Sequence, residues 1–172
     1  MGHLTRATLL TALLPSSAAA EWRERFQESL DWPPTLTVDH VLVQTSLYTH
    51  HFGPDPEHTD QQQLISAEIH TPDRWLAGGA RFKNSFNQES VYVYAGKSFP
   101  LWQPNATFML RGKLTVGLLH GYRGEYRDKI PFNRYEIAPA ALLSIGVRWH
   151  RVESDLIVFG TAGMMLTAGV RF

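Results

Sequence analysis

The spacing of hydrophobic residues changes near residue 39, and this change divides the chain into a helical and a β part. Before it, apolar residues recur every four positions between charged ones. They are Trp22, Phe26 and Leu30. This spacing predicts a short amphipathic helix over residues 21–32, ended by the prolines at 33–34. From Asp39 onward, apolar and polar residues alternate every second position, which is typical of strands with one apolar face.

Turn-forming residues divide the alternating part into eight segments. Strands are predicted over 41–50, 64–70, 75–83, 90–96, 108–118, 136–149, 155–160 and 164–172. Short connections, with residues 99–105 among them, alternate with longer ones. Eight such segments predict an all-β fold, an eight-stranded antiparallel transmembrane β-barrel over residues 39–172.

The fifth segment indicates which strand face points inward. One face is apolar throughout: Phe108, Leu110, Leu114, Val116 and Leu118. The other face carries Arg111 and Lys113, which suits a polar lumen inside a barrel surrounded by lipid. The last segment ends its alternation on Phe172, as outer-membrane barrels commonly do, whereas a lipocalin-like soluble barrel turns its apolar face inward. We therefore expect Arg111, Lys113, Arg81 and Glu68 to pair inside an outer-membrane barrel.

The N-terminal residues have the pattern of an export signal. Arg6 gives a weakly basic start, residues 7–14 form an apolar stretch, and small residues fill 18–20. We predict a signal peptide over residues 1–20, cleaved after Ala20; the alternative is a plain N-terminal helix.

Composition excludes several classes of protein. Sixteen basic and sixteen acidic residues give zero formal charge, which does not favour a nucleic-acid partner. The chain has no cysteine, so disulfides, thiolate catalysis and lipid-modified cysteine are excluded. No run of 18 apolar residues is present, which excludes a transmembrane helix.

The polar stretch 82–87, Phe-Lys-Asn-Ser-Phe-Asn, lies at the tip of the hairpin between the third and fourth segments. Such tips often carry functional groups. The Ser85 hydroxyl could accept an acyl group, donate to an oxyanion or only form the turn, since Asn-Ser pairs favour turns.

These residues resemble the Phe-Lys-Asp-Ser-Trp-Asn loop of the outer-membrane lipid A palmitoyltransferases of Gram-negative bacteria. Glu21-Trp22 with Phe26 resembles the start of that family's amphipathic helix. Val170-Arg171-Phe172 resembles the C-terminus of the family's barrel. The resemblance implies a transferase that moves a palmitoyl chain from a phospholipid to the lipid A of lipopolysaccharide, without a cofactor. We expect a monomer whose partners are the phospholipid donor, the lipid A acceptor and the lipids of the outer membrane.

The resemblance also implies a catalytic His, Asp and Ser in extracellular loops. Ser85 matches the serine, and Asn84 stands where the family has Asp. An amide is not a carboxylate base, although it can orient a partner or donate a hydrogen bond. The histidine falls at the end of the first strand. Strict alternation favours His50, which continues the face of Gln44, with His51 as the alternate.

Two further positions follow from the resemblance. Gly96 falls on the glycine that floors the family's acyl-chain pocket; the alternative is that it only relieves crowding in a narrow barrel. Pro139 deletes a hydrogen-bond donor within a strand, as at the family's lateral lipid entrances, or it only bends the strand.

Other functions remain open from the sequence. A lipid A deacylase on a similar barrel would use water as the acceptor, and an inert lipid-binding or structural barrel would need neither Ser85 nor histidine. Four histidines also raise the question of a metal: His50, His51, His58 and His70. Their spacing follows no known ligand pattern, so we expect no metal.

Overall fold

The computed structural model of the chain describes residues 30–53, 59 and 62–172. The predicted signal peptide lies outside these residues. So do His58 and all of the predicted helix except residues 30–32. The chain divides after Thr35, and the unit from Leu36 to Phe172 contains all the strands described below. No helix in the described part of the chain is long and apolar enough to cross a membrane.

Eight antiparallel strands form a closed barrel in which each strand pairs with the next and the last pairs with the first. The strands are β1 (His40–His51), β2 (Ile65–His70), β3 (Trp75–Lys83), β4 (Glu89–Trp102), β5 (Phe108–His120), β6 (Ile137–Trp149), β7 (Val152–Val158) and β8 (Gly163–Arg171). The predicted all-β, eight-stranded antiparallel barrel is therefore confirmed.

Two strands differ from their predicted bounds by three or more residues at one end, and the others by no more than two. β4 continues through Pro100, within residues expected to be a connection, and its pairing with β5 is irregular between Pro100 and Trp102. A strand tolerates proline at such an irregularity because the missing N–H costs no regular ladder bond. β7 begins three residues earlier than predicted, because β6 and β7 are joined by two residues only, and His150 there has a φ of 54°.

The outer surface of the barrel is apolar, and its interior contains buried charged and polar side chains. In β5, Leu114, Val116 and Leu118 are exposed, whereas Arg111 and Lys113 are 1% and 5% exposed. This confirms the faces predicted for the fifth segment. It is the reverse of a soluble barrel, which fills its interior with apolar side chains.

Buried ion pairs cross the lumen between strands. Lys113 Nζ lies 2.9 Å from Glu68 Oε1 and 3.0 Å from Asp155 Oδ2, and Arg111 bonds both Glu153 and Asp155. Arg111, Lys113 and Glu68 therefore pair inside the barrel, as the strand pattern predicts. Such buried charges need partners because isolated ones are costly.

Arg81 does not join this network, so its predicted inward position is wrong. It points outward and pairs with Glu89, with Nε and Oε2 2.9 Å apart. Its neighbours Ala80 and Phe82 take the inward positions of β3 and line an internal cavity, and alternation then sends Arg81 to the outside.

The two ends of the barrel differ in their connections. At the short-turn end, strands are joined by residues 71–74, 103–107 and 150–151, and β1 begins and β8 ends there. At the long-loop end lie the connections 52–64, 84–88, 121–136 and 159–162. The third of these contains a 3-10 helix, Gly124–Lys129. The Ser85 loop belongs to the long-loop end.

Candidate active site at the long-loop end

Ser85 and His51 meet across two connections of the barrel. Ser85 follows β3, and His51 is the last residue of β1. Ser85 Oγ and His51 Nε2 lie 2.9 Å apart, within hydrogen-bond distance. The backbone carbonyl of Ser85 also accepts a hydrogen bond from the N–H of Thr59, in the β1–β2 connection. A hydroxyl beside an imidazole is the arrangement needed for acid–base catalysis of acyl transfer.

Tyr122 is a third member of the site, and it was not among the residues predicted from the sequence. It lines the same cavity as Ser85, and the two side chains interact. Burial raises the pKa of the Tyr122 phenol, and the interaction with Ser85 opposes this in part. The phenol therefore keeps its proton and can donate it. The sequence signal for Tyr122 is weak, because it lies two residues beyond β5 in a loop without strand register.

A β-bulge explains why His51, and not His50, faces the site. β1 and β8 pair regularly as far as Ser46, and the next pair is formed by Tyr48, so Leu47 is an extra residue. Leu47 and Tyr48 both point outward and are 60% exposed. A one-residue bulge reverses the faces of all residues beyond it. His50 is therefore exposed on the outside, and its predicted inward position is wrong.

Asn84 organises the loop that carries Ser85. Its side chain is 1% exposed, and Oδ1 accepts hydrogen bonds from the backbone N–H groups of Phe86 and Gln88, both at 3.0 Å. Its Nδ2 donates to the carbonyl of Gly121, beyond the end of β5, at 3.3 Å. A carboxylate could accept the first two bonds but could not donate the third. An amide at this position thus suits an orienting role.

A cavity of about 530 Å³ leads from this site into the barrel. Its wall is largely apolar and includes Leu64, Ala80, Phe82, Leu119, Leu142 and Met165. Its lining extends along β5 from Leu119 to Lys113. Six residue steps of roughly 3.3 Å, on a strand tilted by about 40°, give a depth of about 15 Å along the barrel axis. The cavity therefore fits an extended hydrocarbon chain.

Charged and hydroxyl groups form the inner end of the cavity. Glu68, Lys113 and Tyr94 lie there, and the Tyr94 hydroxyl donates to Glu68 Oε1 at 2.9 Å. Because these groups bond one another, a methyl terminus that reaches them would leave their hydrogen bonds intact.

Gly96 is not among the residues that line this cavity. A Cβ at Gly96 would lie 2.2 Å from the carbonyl oxygen of Leu114, so β5 backbone fills the space where a side chain would begin. The geometry supports the alternative that Gly96 permits close approach of β4 and β5.

One side of the cavity, around Pro139, is formed by a part of β6 that has few backbone hydrogen bonds. β6 pairs with β7 only from Leu143 to Trp149, so among the described strands residues 137–142 pair with β5 alone. Pro139 lies within this stretch and cannot donate a backbone hydrogen bond. Pro139, Ala140 and Ala141 also line the cavity. A lipid chain could therefore enter sideways between β6 and β7.

Within the described residues, no group of three or more His, Cys, Asp or Glu side chains is placed to hold a metal ion. His70 lies inside the barrel with its Nε2 2.8 Å from Glu68 Oε2. His50 faces outward and His51 bonds Ser85. These three histidines therefore lie in different environments and do not form a common ligand set.

In comparisons with known proteins, no family model and no curated protein matches this sequence. The site must therefore be interpreted from its own geometry.

Proposed function

We propose that this protein is an acyltransferase of the bacterial outer membrane that moves a palmitoyl or similar long chain from a phospholipid to lipid A. One observation carries the proposal: the hydrogen-bonded pair of His51 and Ser85 lies at the mouth of a deep apolar cavity. The resemblance of residues 82–87 to the palmitoyltransferase loop supports the same function.

The outer surface supports a membrane location. Exposed apolar side chains include Val93, Leu101, Val116, Leu143 and Ile145. A transmembrane strand needs about 9–11 tilted residues, and β5 and β6 have 13 each. In water such a surface would be a large exposed apolar patch, whereas in lipid it is solvated.

The depth of the cavity supports an acyl chain as the ligand. Each leaflet contributes about half of a hydrocarbon core of about 30 Å, or about 15 Å. The cavity reaches about the same depth below the site. A chain that fills it would place its ester carbonyl near Ser85 and its methyl end near Lys113.

In the proposed reaction, His51 acts as the general base. It takes the proton of a lipid A hydroxyl while that oxygen attacks the carbonyl carbon of the phospholipid ester. The tetrahedral intermediate then collapses, the carbon–oxygen bond to glycerol breaks, and the leaving oxygen takes the proton from His51. The products are acylated lipid A and a lysophospholipid.

Ser85 has two roles in this scheme. Its oxygen bonds Nε2 of His51, which orients the imidazole. When Nε2–H is the donor of that bond, Nδ1 is the basic nitrogen and the Ser85 hydroxyl keeps its own proton to donate to the developing oxyanion. Tyr122 holds Ser85 from the β5–β6 loop. Asn84 keeps the loop in shape without reacting, which explains how an amide can replace the carboxylate of the family's motif.

Mass spectrometry of lipid A tests the proposal. The wild-type chain and the Ser85→Ala variant are expressed in a Gram-negative host that lacks its own palmitoyltransferase. We expect a palmitoyl-sized mass increase with wild type. With the variant we expect at least about a hundredfold less product, because a lost oxyanion donor costs about that much.

The same spectra separate the alternative functions, provided that folded barrel is present in equal amounts. A mass decrease would indicate a lipid A deacylase that uses His51 and Ser85 with water as the acceptor. No change with the wild-type chain would contradict the proposal and favour a lipid-binding or structural barrel.

A further inference from the structure

A second cavity, of about 180 Å³, lies at the short-turn end of the barrel. Its charged lining consists of Arg74, Arg111, Arg148 and Arg171 with the carboxylates Asp39 and Glu153. His40, His70 and Ser98 also line it. The ion pairs of Lys113 with Glu68 and Asp155 lie deeper in the barrel, at the inner end of the Ser85 cavity. The proposed acyltransferase reaction makes no use of this second cavity.

The carboxylates that line the cavity already have arginine or hydrogen-bonding partners. Asp39 Oδ2 lies 2.7 Å from His40 Nδ1 and 3.4 Å from Arg171 Nη2. Glu153 bonds Arg111, and its Oε1 lies 3.2 Å from Arg171 Nε. A metal cation would therefore have to compete with these arginines for its ligands.

Several donors at this cavity have no hydrogen-bond partner among the described residues. Arg111 is 1% exposed, and although its Nη2 bonds two carboxylates, its Nε and Nη1 have no acceptor. The buried hydroxyl of Ser98 and Nε2 of His40 also have none. Buried donors are nearly always satisfied in proteins, because leaving one unpaired costs about 1–3 kcal/mol. A single acceptor with several oxygens would satisfy these atoms together.

We propose that this cavity is a binding site for a phosphate group. Guanidinium groups bind phosphate oxygens through paired N–H donors, and a serine hydroxyl adds a further donor. The cavity is large enough for a single phosphate group, and its four arginines outnumber its two carboxylates. The phosphate group could belong to a free phosphate ion or to the phosphodiester headgroup of a lipid that reaches the short-turn end.

Ser98→Ala is the informative variant for this site. Because the Ser98 hydroxyl has no hydrogen-bond partner among the described residues, its removal should leave the unliganded barrel as stable as wild type. If the hydroxyl bonds a phosphate oxygen, the variant should bind phosphate about tenfold more weakly. If Ser98 had only a structural role, its replacement would lower the melting temperature of the unliganded barrel and would not selectively weaken phosphate binding.

The test titrates purified barrel, folded in an uncharged and phosphate-free detergent, with inorganic phosphate at constant ionic strength. The melting temperature of the wild type should rise saturably, because a ligand that binds only the folded state stabilises it. A second titration uses glycerophosphoglycerol, the soluble form of a phospholipid headgroup. Tighter binding of this diester would identify a lipid source, and tighter binding of inorganic phosphate would identify the free ion.

Two arginine variants provide the matched comparison. Arg148→Gln removes a cation from the cavity, whereas Arg81→Gln removes the same charge from the exposed pair with Glu89 at the long-loop end. We expect weaker phosphate binding in the first and wild-type binding in the second. No saturable effect in wild type with either ligand, or equal binding in Ser98→Ala, Arg148→Gln and wild type, would overturn the proposal.

Discussion

The Ser85 side chain contacts two groups from different parts of the barrel: it hydrogen-bonds His51 at the end of β1, and it interacts with Tyr122 after β5. These partners restrict the rotation of a serine side chain that would otherwise rotate among three staggered positions. Tyr122 is thus a positioning residue, because it acts on the reaction through Ser85.

Replacement of Tyr122 by Phe tests this role. The variant keeps the ring and removes the hydroxyl that acts on Ser85. A loss of about 1–1.5 kcal/mol, the usual size of one hydrogen bond, should lower kcat about tenfold. KM for the phospholipid should change little, because the acyl chain contacts the cavity below. The measurement is transfer of a labelled palmitoyl chain to lipid A in detergent micelles.

Tyr135→Phe is the matched control, because Tyr135 lies in the same connection and is 85% exposed. It should leave kcat unchanged. Since burial raises the pKa of Tyr122, its phenol stays protonated where an exposed tyrosine ionises, near pH 10. Wild-type activity should therefore show no loss from Tyr122 ionisation below about pH 10. A larger fall in kcat for Tyr135→Phe than for Tyr122→Phe would contradict the assignment.

The candidate site could be predicted in part at the scale of residues. Ser85 and Asn84 follow from a loop motif, which depends only on neighbours in sequence. His51 was the alternate and His50 the preferred residue, because alternation along β1 carries no sign of the extra residue at Leu47. Tyr122 was missed, since its contact with Ser85 joins two loops whose relative position depends on the closed barrel.

At the scale of strands, the prediction succeeds where one face is apolar and the other polar. β3 has its predicted bounds, and β5 its predicted faces. The prediction fails at β4, where Pro100 suggests an early end, and at β7, where the turn of two residues leaves no obvious loop. Turn residues and proline mark strand ends only when the sheet cannot accommodate them with a bulge or positive φ.

Gly96 lies where the backbones of β4 and β5 approach closely. Gly96→Ala places a methyl group 2.2 Å from the backbone of β5, whereas in Gly79→Ala the nearest atom lies 3.9 Å away. We therefore expect Gly96→Ala to lower the melting temperature of the barrel, by several degrees for about 1–3 kcal/mol of overpacking. Gly79→Ala should have little effect.

The acyl products of both variants complete this test. The length of the transferred chain, measured as the mass added to lipid A, should equal that of wild type in each. A shorter chain from Gly96→Ala, with an unchanged melting temperature, would support a floor position and contradict the packing role.

At the scale of the whole molecule, the barrel separates two chemical environments. The long-loop end contains hydroxyl and imidazole groups above an apolar cavity. The short-turn end contains four arginines, and Nε and Nη1 of Arg111 have no partner among the described residues. Buried ion pairs lie between the two, and they link β2, β5 and β7. This arrangement blocks a continuous aqueous path with side chains, as expected for a barrel of eight strands. This arrangement is consistent with the proposed acyl transfer and disfavours diffusion of solutes through the barrel.

The proposed reaction depends most directly on which histidine acts at the cavity mouth. The decisive measurement uses purified barrel, a phospholipid with an isotopically labelled palmitoyl chain, and lipid A, and it detects the label on lipid A. We expect transfer with wild type and with His50→Asn, and a loss of at least about a hundredfold with His51→Asn, the usual cost of a lost general base. Equal transfer by the two variants would contradict the role of His51 as general base, and no transfer by wild type would contradict the proposed acyltransferase activity.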